Sequence, residues 1–285
     1  MSTVAIIGAG DLGGAIAHAL ASSRGIHRVL LVDDRAGVAS GKALDLQQEG
    51  AIDGRHVHLV GTDDLSRVAG SAVCVLADRA GQPAAEWVGD AGAALLTRLL
   101  PYLGSAPLIF AGPGQAGMLL TAARDIGVDR TRLIGSAPEA LASAVRAVVA
   151  LEARCSPTEV SLAILGAPGG FLVPWSEASI GGHGIASVLS QVQLVRLENK
   201  LTQLWPPGAF TLGLAAARVT EAILRSARRR FSVLTVIDGA LGVRHTVGTL
   251  PCLLAAQGIV HAHVPTLTTR ERVQLESALS ASGRA

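Results

Sequence analysis

Aromatic residues are scarce in this chain: four Phe, three Trp and one Tyr among 285 residues. Packing must rest on aliphatic and small side chains instead. Lysine occurs only at 42 and 200, and 24 Lys+Arg face 22 Asp+Glu for a net charge of +2. That near balance excludes the basic footprint of a nucleic-acid binder. Cys74, Cys155 and Cys252 lie far apart without a C-x-x-C pair. They imply neither a disulfide framework nor a zinc site, and are expected to be small buried apolar groups. No apolar run reaches the ~18 to 20 residues that span a bilayer. The chain runs from Met1 straight into strand-like Val4-Ala-Ile-Ile, without the basic stretch of a signal peptide, so a soluble, cytoplasmic protein is expected.

Apolar and small residues are abundant. Hydrophobic residues make up 49% and charged residues 16%, which excludes a disordered chain. There are 48 Ala and 33 Gly, pointing to close contacts of helices with helices and sheet. The length suits one or two domains. In the first half, strand-like runs at 4–7, 29–32, 57–60, 72–77, 107–111 and 132–134 alternate with helical patterns at 11–22, 36–48, 84–103 and 115–126. Apolar strands alternating with helices predict a parallel sheet covered on both faces. The second half changes character. Helical patterns at 138–152, 185–204, 211–228 and 268–282 are mixed with strands at 159–165, 233–237 and 249–253. This predicts an α/β protein: a doubly wound N-terminal domain over 1–137 and an α+β domain over 138–285, packed as a unit. Arg225, Arg228, Arg229 and Arg230 are expected as a solvated turn complementing a helix C-terminus.

Gly8-Ala-Gly10-Asp11-Leu12-Gly13 follows the first strand and opens the first helix. In that setting G-x-G-x-x-G marks a Rossmann dinucleotide site. The first glycine permits the turn, the second lets the pyrophosphate approach, and the third lets helix and strand pack closely. The anion rests on free N–H groups at the helix start. Asp33, 20 residues past Gly13, stands where a carboxylate accepts from both ribose hydroxyls, favouring NAD over NADP. Asp11 puts a like charge at the loop and weakens that expectation unless it turns outward.

Several further stretches resemble the lactate/malate dehydrogenase family over nearly the whole chain. Ile6-Gly-Ala-Gly-Asp-Leu-Gly-Gly14, Leu31-Val-Asp33 and Gly41-Lys-Ala-Leu-Asp-Leu46 match its first strands and helices. Val173-Pro-Trp-Ser176, Ala216-Ala-Arg-Val-Thr-Glu-Ala-Ile-Leu224, Gly248-Thr-Leu-Pro251 and Gly258-Ile259 resemble its C-terminal half. The resemblance implies NAD as cofactor and a dimer or tetramer. It also implies hydride transfer to or from a 2-hydroxy or 2-keto acid. A histidine takes the proton, an aspartate orients it, and arginines hold the carboxylate and polarise the carbonyl.

Those groups are missing from the matching motifs. The histidine turn reads Gly166-Ala-Pro168-Gly-Gly170, placing Pro168 at the histidine. The mobile-loop motif reads Gly81-Gln-Pro83-Ala-Ala-Glu-Trp87, with Gly81 and Trp87 at its two arginines. Gly112 replaces the asparagine before Pro113, and Leu141 and Ala144 stand at the aspartate and third arginine. His183, Arg79 and Arg146 are the nearest candidates for displaced groups. His261-Ala-His263 offers two alternating imidazoles without a third ligand, so no metal site is expected. Three functions follow. The favoured one is a non-catalytic homolog that retains the NAD-binding loop, is inactive on malate and lactate, and acts as sensor, scaffold or partner subunit. The others are an oxidoreductase on an unusual hydroxy substrate and a structural subunit that binds no nucleotide.

Overall fold

The computed structural model describes residues 2–81 and 85–282. Six strands come first: β1 (Thr3–Ile7), β2 (Arg28–Val32), β3 (His58–Thr62), β4 (Val73–Leu76), β5 (Leu108–Phe110) and β6 (Leu133–Gly135). Between them run α1 (Asp11–Ala21), α2 (Ala36–Ile52), α3 (Gly89–Leu103) and α4 (Ala116–Arg124). The strands are parallel and ordered β3-β2-β1-β4-β5-β6, the doubly wound order in which the winding reverses between β1 and β4. Both faces are covered, and alternate residues go to opposite cores. Ile6, Val29 and Leu31 join one cluster, while Ala5, Ile7, Leu30 and Val32 join the other.

The second half begins with α5 (Ala137–Ala153) and continues through β7 (Val160–Ser161), β8 (Leu165–Ala167), β9 (Gly170–Leu172), β10 (Ser179–Ile180) and β11 (His183–Gly184). Then come α6 (Ile185–Val188), α7 (Gln191–Lys200), α8 (Ala209–Arg225), β12 (Arg230–Ile237), β13 (Thr246–Ala255), β14 (Gly258–Ala262) and α9 (Thr269–Ser282). The expected α/β architecture is present. β12 pairs antiparallel with β6 at Leu234 and Gly135, so the first sheet continues into β13, β8 and β9, with β14 on β13. β11, β10 and β7 make a separate three-stranded sheet. The 137/138 division expected from the sequence falls in the first turn of α5.

Local differences have local causes. The strand expected over 159–165 is two short ones, β7 and β8, in different sheets. The helix expected over 185–204 breaks at Ser190, whose hydroxyl caps α7 in a reciprocal box with Gln193. β14 begins at Gly258, ahead of the alternating His261-Ala-His263 stretch that pointed to a strand there. Small residues set the helix spacing: a Cβ on Gly213 of α8 would meet Ala15 of α1 at 2.7 Å.

The C-terminal helix is fastened by one carboxylate. Glu271 accepts from the Ser176 N–H (3.2 Å) and hydroxyl (2.7 Å), and from the Thr268 N–H (2.9 Å) and hydroxyl (2.8 Å). Burial pushes its carboxyl up, but these four bonds outweigh burial and hold it below the usual range. A depressed folded-state pKa means stability that is present at neutral pH and lost as pH falls through that depressed value. Glu271→Gln should therefore destabilise the protein by about 1 to 3 kcal/mol at pH 7. Denaturant titrations at pH 7 and in acid should show the gap between wild type and variant narrowing in acid.

Candidate functional site

The glycine loop lies at the β1/β4 switch point, where doubly wound sheets bind ligands. Gly8 has φ +108°, a conformation that favours glycine, and its N–H donates to the Val32 carbonyl at 2.7 Å. A Cβ on Gly13 would collide with the Gly8 carbonyl, so the third glycine does bring helix and strand together. Lys42 Nζ donates to the Gly10 carbonyl at 2.6 Å and fixes the loop from α2. Asp11 is exposed as the first residue of α1, turned to solvent.

The N-terminus of α1 is already bonded to an anion, Asp78, which follows β4. Its Oδ1 accepts from the Gly13 N–H at 2.9 Å and its Oδ2 from the Leu12 N–H at 3.2 Å. Its own carbonyl accepts from the Gly10 N–H at 3.0 Å. A Cβ on Gly10 would collide with the Asp78 carboxyl. The close approach that the second glycine permits is thus made by a side chain of the same protein. Asp78 is 3% exposed.

Asp33 is similarly engaged. Oδ2 accepts from the Ala9 and Ala80 N–H groups at 2.8 and 2.9 Å, and Oδ1 from the Arg35 N–H at 2.9 Å. Beside it, Ile7, Val32, Trp87 and Leu95 help to line a cavity of only about 10 Å³, at the lower limit for one water. Trp87 is buried there with its indole N–H unpaired, and Arg79 lies 5.0 Å over its ring. Glu86 pairs with Asp78 in an isolated bridge and accepts from the Gly114 N–H at 2.9 Å. Burial raises the Glu86 carboxyl, the nearby Asp78 charge adds to that, and the Gly114 bond opposes it. Pro83 lies outside the described residues. Asp78 and Glu86 were not singled out in the sequence. The available signal was an acidic residue ending the apolar run 72–77.

At the far side of the sheet, β8 and β9 form a hairpin whose tip is Pro168-Gly169. Gly169 has φ +89°, and Pro followed by a positive-φ Gly is what a type II turn requires. Pro168, Phe171, Glu198 and Gln274 lie on a cleft of about 1130 Å³ between α4, α7 and α9.

No family model matches the sequence. A malate dehydrogenase of Roseiflexus sp. (strain RS-1) is 28% identical over 273 residues, covering 90% of this chain and 88% of that protein. One from Thioalkalivibrio sulfidiphilus is 26% identical over 302 residues, covering 98% and 97%. The solved malate dehydrogenase of Salinibacter ruber superposes with a TM-score of 0.89 at 22% identity, covering 99% of this chain and 95% of that one. The minor L-lactate dehydrogenase of Enterococcus mundtii also gives 0.89, at 18% identity, covering 99% and 96%. Over nearly its whole length the chain is similar to malate dehydrogenases, and its fold is that of the malate and lactate dehydrogenases.

The positions expected to carry the family's chemistry have different settings. Leu141 is fully buried on α5 among Ile164, Val173 and Ile185, whereas Pro168 lines the open cleft. Gly112 donates its N–H to the Gln115 side chain at 2.9 Å and packs against Glu86. Ala144 is partly exposed on α5, and Gly81 is exposed next to the Arg35 side chain. The candidate substitutes are committed elsewhere. His183 is exposed on β11, in the small sheet rather than beside Pro168. Arg79 stacks on Trp87, and Arg146 pairs with Glu139 at 3.3 Å. His261 and His263 sit with ring centres 6.4 Å apart, and the described residues hold no group of three metal-ligating side chains.

The arginine cluster is exposed at the end of α8, as expected, with Arg225 in the last turn. α8 ends at Arg225, and Arg228, Arg229 and Arg230 lie beyond it, lining a second cleft of about 850 Å³ with Arg146, His261 and His263. Arg229 pairs with Glu139 at 3.1 Å and stacks on Phe231 at 4.1 Å. No helix among the described residues is long and apolar enough to cross a membrane.

Proposed function

We propose that this chain is a non-catalytic member of the lactate/malate dehydrogenase family, acting as a scaffold or partner subunit. The observation that carries this is the hairpin tip. Where the family resemblance places the proton-accepting histidine, Pro168 stands as the first central residue of a tight turn, with no titratable atom. The other matched positions, Gly81, Trp87, Gly112, Leu141 and Ala144, likewise offer no acid, base or guanidinium. Loss of a general base alone costs ~100- to 10,000-fold in rate, and groups that act together are lost together. The N-terminal unit, 1–137, is retained as a folded platform, and 138–285 supplies the other half of the molecule. Self-association as a dimer or tetramer agrees with the exposed Phe210 and Leu214 on α8 and Leu44 and Ile52 on α2. A cytoplasmic location is part of this reading.

Oxidation of malate, lactate and related 2-hydroxy acids, followed as NADH formation, should not exceed background. Pro168→His alone should not restore it, because the orienting aspartate and the carboxylate-binding arginines are still missing. Turnover by the wild-type protein that disappears in His183→Ala would overturn this reading in favour of displaced chemistry.

A further inference from the structure

The family's cofactor does not fit the cradle that the motif builds. Two separate observations conflict with it. The two N–H groups that would receive a pyrophosphate, on Leu12 and Gly13, are bonded to Asp78. The carboxylate expected to take the ribose hydroxyls, Asp33, is bonded to three backbone N–H groups.

We propose that Asp78 is an internal anion that takes the place of the dinucleotide phosphates on α1 and keeps the chain from binding NAD. The chemistry of the exchange is direct. Free N–H groups at a helix start attract an anion through their partial positive charge, and a carboxylate satisfies them as an N-cap does. A tethered side chain meets no translational cost on docking, so it competes well against a free ligand. The seat is lined by glycine, and a Cβ at Gly10 would collide with the Asp78 carboxyl. The motif therefore serves a carboxylate of the chain itself. An incoming pyrophosphate would have to displace Asp78 and lie beside its charge.

Calorimetric titration of the whole protein with NAD, and separately with inorganic pyrophosphate, tests this in wild type, Asp78→Ala and Asp78→Asn. Wild type should give no binding heat up to millimolar ligand. Asp78→Ala should bind NAD at least tenfold more tightly than wild type. It should also melt about 2 to 6 °C lower without ligand, because two helix N–H groups lose their partner. Pyrophosphate should raise its melting temperature but not that of wild type. Asp78→Asn keeps the shape and one acceptor while removing the charge, so it should fold even where the alanine variant does not, and should also gain NAD affinity. Tight binding by wild type, or no gain in either variant, would overturn the proposal. The result is independent of turnover, so a catalytically inert protein could still fail this test.

Discussion

Leu141→Asp is expected to destabilise the protein by about 3 to 5 kcal/mol, although it restores the residue that the family resemblance places there. Leu141 is fully buried, and its cluster is apolar: Ile164, Val173, Ile185 and Leu189 are among its members. An isolated carboxylate in such a place loses its hydration and gains no counter-charge. It would stay protonated at neutral pH or open the core. Adding Pro168→His should not recover the loss, because Pro168 lines the cleft between α4, α7 and α9 and Leu141 does not. Urea unfolding of the single and double variants checks this. A loss below about 1 kcal/mol would mean that a polar partner or water reaches position 141.

Glu139→Ala should cost about 2 to 4 kcal/mol, for a different reason. Glu139 is 4% exposed in the first turn of α5, and one of its oxygens accepts from the Ser232 N–H of β12 at 2.9 Å. The other accepts from Arg146 at 3.3 Å and Arg229 at 3.1 Å. One carboxylate thus joins the helix that opens the second half to the strand that extends the sheet. Its removal leaves a buried N–H unpaired and two guanidiniums close together. Their partial exposure keeps the cost below that of a sealed ion pair. Glu139→Gln should retain the Ser232 bond and lose less. Equal losses for the two variants would show that the arginine pairing, rather than the backbone bond, is the larger part.

The parallel half was legible because its signals are local. Apolar runs such as 4–7 and 29–32 are buried on both faces, and the glycine spacing marks the turn between β1 and α1. The second half was harder to trace. Pairs such as β8 with β13 join through single registered positions, Gly166 with Thr249, and leave no periodic trace. At the site, the missing histidine and arginines could be seen from motif positions alone. The engagement of Asp78 could not, because it joins residues 65 apart through backbone N–H groups, which every sequence possesses. The same holds for Asp33. Its position pointed to a ribose, but the occupancy of its oxygens depends on where Ala80 lies. Arg146 shows the converse error. It looked available for a substrate, and its partner Glu139 sits seven residues earlier on the same helix.

The two proposals meet at one place: a chain without the family's reacting groups, whose Asp78 holds the anion seat on α1. A crystal structure of the protein grown with saturating NAD and oxamate tests it most directly. The account predicts the Asp78 carboxylate on the Leu12 and Gly13 N–H groups, Trp87 buried beside Asp33, and no dinucleotide. A pyrophosphate on those two N–H groups, with Asp78 displaced and oxamate held near Pro168, would contradict it.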